Sequence, residues 1–341
     1  MKKIFLLLFA LIVLLGAFTA WKIFGPSVKI PEGNFFYIKT GENYPAVKKD
    51  LHERGIIKNP VWFDMVAQNL DYKNAVKPGK YEIKKGMSLF ELVRMLRGGR
   101  QTPVNFVITK LRTRENLAGR AGKMFEFDSL QMNAFLSNND SLNAYGLDTN
   151  TVLSRVLPDT YTYYWNTTPK KVFQKLFDAS QKFWNDERKK KADSIGLTPA
   201  QVSTLASIID EESNYAPEKS NIASVYLNRL RKNIPLQADP TVKFALKDFA
   251  LKRIYERHLL FDSPYNTYRN AGLPPGPICT PQRATLDAVL NAPKTDYLYF
   301  VAKSDFSGAH VFAANYDDHL KYAREYQEAL NREDSIRKAN Q

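Results

Sequence analysis

The hydrophobic positions form one long apolar stretch at the N-terminus, followed by many short periodic segments. The stretch runs from Ile4 to Ala20, and it reaches Phe24 when the side chain of Lys22 extends its ammonium to the membrane surface. At 1.5 Å per residue it forms about 26 to 31 Å of helix, enough to cross the apolar layer of a bilayer. We therefore predict a transmembrane anchor over residues 4–24, preceded by a cytoplasmic tip at residues 1–3.

The charges around this stretch predict its orientation. Lys2 and Lys3 precede it, and basic residues beside a span favour the cytoplasmic side. We expect a single-pass protein of the cytoplasmic (inner) membrane, with the N-terminus inside and the rest of the chain in the periplasmic or extracytoplasmic space. The alternative is a cleaved signal peptide, but cleavage after Ala20 would place Phe18 where a small residue is preferred. Both interpretations export residues 25–341.

Residues 34–100 have the pattern of a small α+β module, joined to the anchor by a Pro/Gly-containing linker at residues 25–33. Local signals mark its elements. In order, these are an aromatic strand at 35–39, a helix ending at Gly55, a helix beginning at Pro60, a strand within 77–83, and a helix from a Ser88–Glu91 capping box to Gly98. The order strand, helix, helix, strand, helix therefore predicts a compact unit.

Residues 101–195 contain segments with the hydrophobic period of helices and segments with that of strands. They contain a strand-like segment at 103–108, helical segments at 113–124 and 129–137, and a group of aromatic residues at 161–165. Aromatic side chains at this spacing either stack on sugars or pack in a core. Residues 196–328 form a second α+β region and residues 329–341 a polar tail, so the overall fold class is α+β.

A helix with a well-marked start opens the second region. Thr198 and Gln201 form a capping box, and Pro199 occupies the first helical position. The helix ends in three consecutive acidic residues, Asp210, Glu211 and Glu212.

Helical phase distinguishes these three acids. At 100° per residue the apolar positions form one stripe, and position 212 continues it. The stripe consists of Val202, Leu205, Ile208 and Ile209. We therefore expect Asp210 to face water, Glu211 to lie on a flank, and Glu212 to point inward.

An inward glutamate needs a physical reason, because a buried carboxylate costs several kcal/mol unless it is paired, protonated or facing a cleft. Apolar surroundings raise a carboxyl pKa and keep the group protonated near neutral pH, as a general acid requires. The alternative is a purely structural ion pair with a cation such as Arg229.

Composition narrows the chemistry further. With 49 Lys and Arg against 35 Asp and Glu, the net charge of +14 suits anionic lipid or anionic wall polymers, and an exported chain is not expected to bind nucleic acid. The single cysteine, Cys279, excludes an intramolecular disulfide, and the four histidines show no metal-ligand spacing. We expect no metal and no cofactor.

Six segments together resemble the YceG-like endolytic peptidoglycan transglycosylases, from the anchor to about residue 325. The segments are LASIIDEES, NIASVYLNRL, PLQADPTV, SPYNTYRNAGLPPGPI, APKTDYLYFVA and GAHVFAANYDDH. The resemblance implies a membrane anchor, a LysM-like module at 34–100, an intermediate part at 101–195 and a catalytic domain at 196–328. It implies that Glu212, followed by Ser213, is the catalytic acid.

The implied reaction is lytic cleavage of the β-1,4 bond between N-acetylmuramic acid and N-acetylglucosamine in nascent strands. It leaves a 1,6-anhydro end and would terminate glycan elongation. One carboxyl suffices if it first protonates the leaving oxygen and then accepts the proton of the sugar's own C6 hydroxyl. The expected partners are glycan strands, the cytoplasmic membrane and peptidoglycan synthases of the penicillin-binding class.

Candidate substrate-binding residues surround this acid in the sequence. They are Ser213, Asn228, Gln237, Asp239, Tyr265, Asn266 and Tyr268. Asn228 could reach Glu212 from the next helix; for Asp239 the alternative role is a helix cap, and for the tyrosines it is packing. The chain departs from the family pattern at Leu153-Ser154 and at residues 109–116, which weakens any transfer of substrate contacts there.

Two rival functions stay open. The first is a muramidase-type hydrolase in which Asp239 supplies the second carboxylate that hydrolysis needs. The second is a non-catalytic scaffold that binds the wall and recruits synthases. The LysM-like module has two alternatives of its own, sugar binding or orientation of the enzyme.

Overall fold

The computed structural model describes residues 2–339, so Met1 of the predicted tip and the last two residues of the predicted tail lie outside it. The contacts of the chain divide it into two compact units. The first contains residues up to 106, 122–128 and 162–168, and the second contains 107–121, 129–161 and the chain from 169 onward. Helices and strands are mixed as predicted, and the domain boundaries at 100, 195 and 328 remain predictions.

The apolar N-terminal stretch forms one helix, α1 (Lys2–Phe24), with no buried side chain. Its length of 23 residues and a mean hydropathy of 2.7 over its most apolar 18 residues suit a membrane-spanning segment. A signal sequence has the same properties, so the helix is compatible with a single-pass anchor and with a signal sequence.

The first unit has the predicted order of elements: β1 (Phe35–Ile38), α2 (Tyr44–Glu53), α3 (Pro60–Asn69), β2 (Gly79–Glu82) and α4 (Leu89–Gly98). The two strands pair antiparallel, with Phe36 opposite Tyr81 and both side chains fully buried. The Ser88–Glu91 capping box forms, and α4 ends at Gly99, whose left-handed φ of 65° favours glycine. The signals in this part of the sequence were therefore reliable.

Two of the five points at which the chain changes units fall within paired strands, β3 (Val104–Ile108) and β4 (Asp159–Tyr163). Of the aromatic group at 161–165, Tyr161 and Tyr163 are buried, and the Tyr161 hydroxyl donates to the Leu157 carbonyl at 2.8 Å. Packing, rather than sugar stacking, is therefore the role of these two side chains. Tyr164 is exposed.

The second unit is mainly helical, with one antiparallel hairpin. Its helices are α5 (Arg114–Gly122), α6 (Ser129–Leu136), α7 (Asn139–Asn143), α8 (Pro169–Phe183), α9 (Asp186–Ser194), α10 (Pro199–Glu212), α11 (Lys219–Arg231), α12 (Asp239–Leu246), α13 (Glu256–Leu259), α14 (Arg283–Leu290) and α15 (Tyr316–Ala339); the hairpin strands are β5 (Tyr299–Ala302) and β6 (His310–Ala313).

Helix α10 is the centre of this unit. Its capping box forms at Thr198 and Gln201, as the sequence predicts. Every residue from 202 to 210 is buried, because α11, α12 and α14 surround the helix. A helix that is covered on all sides cannot be divided into a wet and a dry face by phase alone.

Candidate active site

The first acid at the end of α10, Asp210, is only 2% exposed. Its carboxylate accepts hydrogen bonds from the Lys219 ammonium and the Thr285 hydroxyl, and from the Gln282 backbone N–H at 2.7 Å. The expectation that Asp210 faces water is therefore wrong. Helices α11 and α14 cover the face that phase assigned to solvent, and the buried charge is compensated by an ammonium from α11.

The charge of Glu211, the second acid, is neutralised by basic side chains of the segment 109–116. Its carboxylate lies 3.1 Å from the Lys110 ammonium and 2.9 Å from the Arg112 guanidinium. Lys110 also donates to the Asp210 carbonyl at 2.8 Å. The segment in which the chain departs from the family pattern therefore supplies two cations to the end of α10.

The third acid, Glu212, is partly buried and receives a hydrogen bond from the Tyr226 hydroxyl at 2.7 Å. Burial raises the pKa of Glu212 to about 7. The negative charge of Asp239 raises it further, whereas the Tyr226 hydrogen bond opposes the shift. The carboxyl is therefore half protonated near neutral pH.

The alternative ion pair between Glu212 and Arg229 does not form. Arg229 instead donates to the carbonyls of Leu298 at 2.7 Å and Leu236 at 2.9 Å. It fixes the chain around the cleft and leaves the Glu212 carboxyl without a guanidinium partner among residues 2–339.

Glu212 opens into a cleft of about 320 Å³, a size suited to part of a small ligand. The walls come from the ends of α10, α11 and α12, from the loop after α13, and from β5 and α15. The lining residues are Glu212, Tyr226, Arg229, Leu236, Gln237, Asp239, Tyr268, Tyr299, Phe300, Tyr316 and His319.

Three of the predicted substrate-binding residues lie in this cleft. Asp239 begins α12, and its carboxylate accepts the Tyr268 hydroxyl at 2.7 Å. The N-cap of this helix is Ala238, and Asp239 is its first helical residue, so the capping alternative does not account for Asp239. Gln237 has a left-handed φ of 52° and accepts from Arg229 at 3.3 Å. The geometry thus brings Gln237, Asp239 and Tyr268 together with Glu212.

The other four predicted residues have different surroundings. Asn228, expected to reach Glu212, donates instead to the carbonyls of Thr295 and Tyr297. Asn266 is fully buried and holds a loop through the carbonyls of Leu259 and Phe261. These amides are already occupied by backbone oxygens.

Tyr265 packs on Phe244 with ring centroids 4.7 Å apart, in a separate pocket from Glu212. Ser213 is buried and donates to the Glu218 carboxylate at 2.6 Å. The same carboxylate binds His310 through the ring Nδ1 at 2.7 Å and the backbone N–H at 2.8 Å. The Ser213–Glu218–His310 group therefore ties the end of α10 to β6 and gives His310 a structural role.

Sequence reasoning missed the aromatic side of the cleft. Tyr226 lies in an apolar helical segment and looks like an ordinary core residue, so only its distance to Glu212 reveals it. Tyr299 stacks on His319 with centroids 5.1 Å apart, and the Arg229 guanidinium lies 5.1 Å from the Tyr299 ring. Burial and the charge of Arg229 lower the pKa of His319.

This arrangement suits proton transfer to an oxygen of a polar, ring-shaped ligand. A carboxyl with a pKa of about 7 can give up a proton and take one back at the same pH. Aromatic walls bind sugar faces, and the flanking hydroxyls and amides can fix their orientation.

Comparison with known proteins agrees with a site that acts on sugars. A profile of the YceG-like family matches residues 36–325. An endolytic murein transglycosylase of Bacillus subtilis is 30% identical over an alignment of 316 positions, which covers 86% of this chain and 85% of that protein. A second, of Streptococcus pneumoniae, is 26% identical over 329 residues, and the match spans 85% of this chain but 57% of the relative.

A crystal structure of a yceG-like protein from Listeria monocytogenes has a similar fold. The superposition has a TM-score of 0.58 at 26% sequence identity and covers 84% of this chain and 97% of that one. The match of the family profile over most of the chain decides the classification. The protein belongs to the YceG-like family.

Proposed function

We propose that the protein is an endolytic murein transglycosylase in which Glu212 acts first as general acid and then as general base. The enzyme is a lytic transglycosylase. The relatives that match most of this chain are named endolytic murein transglycosylases. The main support for this role of Glu212 is its pKa, which is raised to about 7. The carboxyl lies in a cleft, and its hydrogen-bond partner is the neutral phenol of Tyr226.

The proposed substrate is the β-1,4 bond between N-acetylmuramic acid and N-acetylglucosamine in a nascent strand. Protonated Glu212 gives its proton to the glycosidic oxygen while that bond breaks. The resulting carboxylate then accepts the proton of the C6 hydroxyl as its oxygen bonds to C1, which closes a 1,6-anhydro ring. No water is consumed, and the carboxyl ends in its starting state.

Tyr226 and Asp239 would tune this cycle in opposite directions. The Tyr226 hydrogen bond stabilises the carboxylate after the first proton transfer, and the charge of Asp239 favours the protonated form before it. Gln237 and Tyr268 lie in the same cleft and are proposed to orient the sugars. Substrate contacts of Ser213, Asn228, Tyr265 and Asn266 remain predictions.

The hydrolase alternative stays open, because Asp239 places a second carboxylate in the cleft. Its hydrogen bond from Tyr268 and its position at the start of α12 are equally compatible with an electrostatic role. The two mechanisms differ in whether water enters the product.

Membrane attachment completes the proposal. Helix α1 is long and apolar enough to hold the enzyme at the cytoplasmic membrane, with the cleft on the outer side where nascent strands are made. Residues 34–100 are proposed as a LysM-like module that binds or orients strands. Synthases as the source of those strands remain a prediction.

The test is digestion of purified glycan strands by the full chain in detergent, followed by mass spectrometry of the product ends. The proposal expects new ends that are anhydro-muramoyl, each lighter by one water than a reducing end. Reducing ends would support the hydrolase. A wild-type protein that binds strands and cuts none would support the scaffold.

A further inference from the structure

A second pocket lies at the base of α1, within the first unit. It has a volume of about 240 Å³ and is formed by the end of α1, the following linker and the start of α3. The backbone ties these parts together: the Gly25 N–H donates to Trp21, the Val28 N–H to Met87, and the Lys29 N–H to Ile56. The pocket is therefore a built feature of the fold.

The charge of this pocket is entirely positive. Lys22, Lys29 and Lys58 line it, and no aspartate or glutamate among residues 2–339 does. None of the three ammonium groups forms an ion pair with any of residues 2–339. The N-terminus of the ten-residue helix α3 adds its partial positive charge beside Lys58.

The donors that this pocket offers to a ligand are its lysines. Ser27 also lines the pocket, but its hydroxyl oxygen is buried away from the surface. Three ammonium groups around one pocket are suited to a phosphate group, whose oxygens accept charge-assisted hydrogen bonds.

The remaining walls are of the kind found at a membrane surface. Trp21 and Trp62 line the pocket, and Phe18 of α1 contacts Trp62 edge-to-face at 6.3 Å. On α3, Val61 and Met65 lie four residues apart on one face and are 66% and 41% exposed. Acyl chains beside α1 would cover these apolar side chains.

We propose that this pocket binds the phosphate headgroup of an anionic phospholipid beside the anchor. The inference rests on the membrane attachment in the proposed function and adds a specific lipid contact to it. Such a contact would hold the first unit against the membrane and restrict its rotation about α1, which a bare anchor does not do.

The test uses the full chain in a mild detergent, titrated with phosphatidylglycerol or phosphatidylcholine of identical acyl chains. Native mass spectrometry counts the bound lipid. We expect phosphatidylglycerol to bind at least about tenfold more tightly, since three lysines attract a headgroup with a net negative charge more than a zwitterionic one. Equal binding of the two lipids would overturn the proposal.

Two triple variants separate the pocket from general charge. Lys22→Gln/Lys29→Gln/Lys58→Gln should reduce the preference to less than about twofold. The matched control Lys39→Gln/Lys84→Gln/Lys85→Gln removes three exposed lysines of the same unit that do not line the pocket, and it should keep the preference. An equal loss in both variants would contradict the proposal, and thermal unfolding checks that both are folded.

Two further measurements identify the source of the effect. Glycerol 3-phosphate should compete poorly, because it lacks the chains that contact Trp62 and Val61; competition equal to that of the lipid would make this a free-phosphate site instead. Glycan cleavage should be unchanged in the pocket variant, whereas Glu212→Gln should bind lipid normally and cut nothing. Failure of the lipid proposal is thus distinct from failure of the proposed function.

Discussion

At the end of α10, Asp210 and Glu211 lie among cations, whereas Glu212 lies in a cleft where its hydrogen-bond partner is the phenol of Tyr226. The three residues are consecutive, but their different surroundings give them different roles. A carboxylate beside an ammonium stays ionised and holds helices together. A carboxyl removed from water without an ion-pair partner takes up a proton and becomes available for catalysis. Five changes test this contrast.

The largest effect is expected for Glu212→Gln. Removing the only proposed acid and base should lower the cleavage rate by about a thousandfold or more, and glutamine keeps the shape of the side chain. Release of soluble fragments from purified strands measures the loss.

The matched control is Glu211→Gln, the neighbouring carboxylate that is already paired with Lys110 and Arg112. It should retain most of the activity. If the Glu211 variant were dead and the Glu212 variant active, the assignment of roles within the triplet would be reversed.

Asp210→Asn should affect stability rather than chemistry. It leaves the buried Lys219 ammonium without its carboxylate, which typically costs about 3 to 5 kcal/mol in the free energy of unfolding. Urea denaturation measures the change. In Asp210→Asn/Lys219→Met the charge is gone, and most of the loss should be recovered; an unchanged single variant would show that the pair does not hold α10 to α11.

The raised pKa of Glu212 also predicts how stability depends on pH. Its folded pKa of about 7 lies above the ordinary value of 4.5, so protonation favours the folded state. This stabilisation is complete below pH 4.5 and disappears as the pH rises to about 7, a loss of up to about 3 kcal/mol. Denaturation of Glu212→Gln over the same range should show a flatter curve, and parallel curves would contradict the raised pKa.

Tyr226→Phe removes the hydrogen bond that stabilises the Glu212 carboxylate. We expect the pKa of Glu212 to rise and the rate to fall by about tenfold, because the second proton transfer starts from a less stable carboxylate. The pH–rate profile reports both effects. A lower rate with an unmoved profile would point to a packing role for the phenol.

Asp239→Asn should have the smallest effect if Asp239 acts only through its charge. The pKa of Glu212 should then fall, and the alkaline limb of the pH–rate profile should move to lower pH with a loss of a few-fold. The control for the pH shift is Tyr268→Phe, which keeps the Asp239 carboxylate and should leave the alkaline limb in place even if the loss of a sugar contact lowers the rate. Loss of activity as severe as in Glu212→Gln would favour the hydrolase.

The sequence predicted the elements with strong local signals. The caps at Thr198 and Ser88 and the proline at the start of α3 each depend on neighbouring residues, so no tertiary information was needed. Helical phase placed Glu212 inward, and Glu212 is partly buried, but so is Glu211. Phase placed Asp210 on the solvent side, although it is the most buried of the three, because its partners come from the next helix, α11, and from the distant α14.

In the candidate site, too, the sequence predicted some positions of side chains and not others. Gln237, Asp239 and Tyr268 lie in the cleft, but Tyr265 and Asn266, from the same motif as Tyr268, do not. Successive side chains of a turn point in different directions, and a motif does not record which one faces the acid. Tyr226 was missed because a tyrosine in an apolar helix is typical of a core.

The central claim is that Glu212 directs the sugar's own C6 hydroxyl, rather than water, to the broken bond. Digestion of glycan strands by the full chain in ¹⁸O-labelled water tests it directly. We predict product ends without ¹⁸O, because the anhydro ring takes its oxygen from the sugar and has no free anomeric hydroxyl to exchange. One ¹⁸O atom at each new end, above the exchange measured with preformed reducing ends, would show that water attacks and would contradict the account.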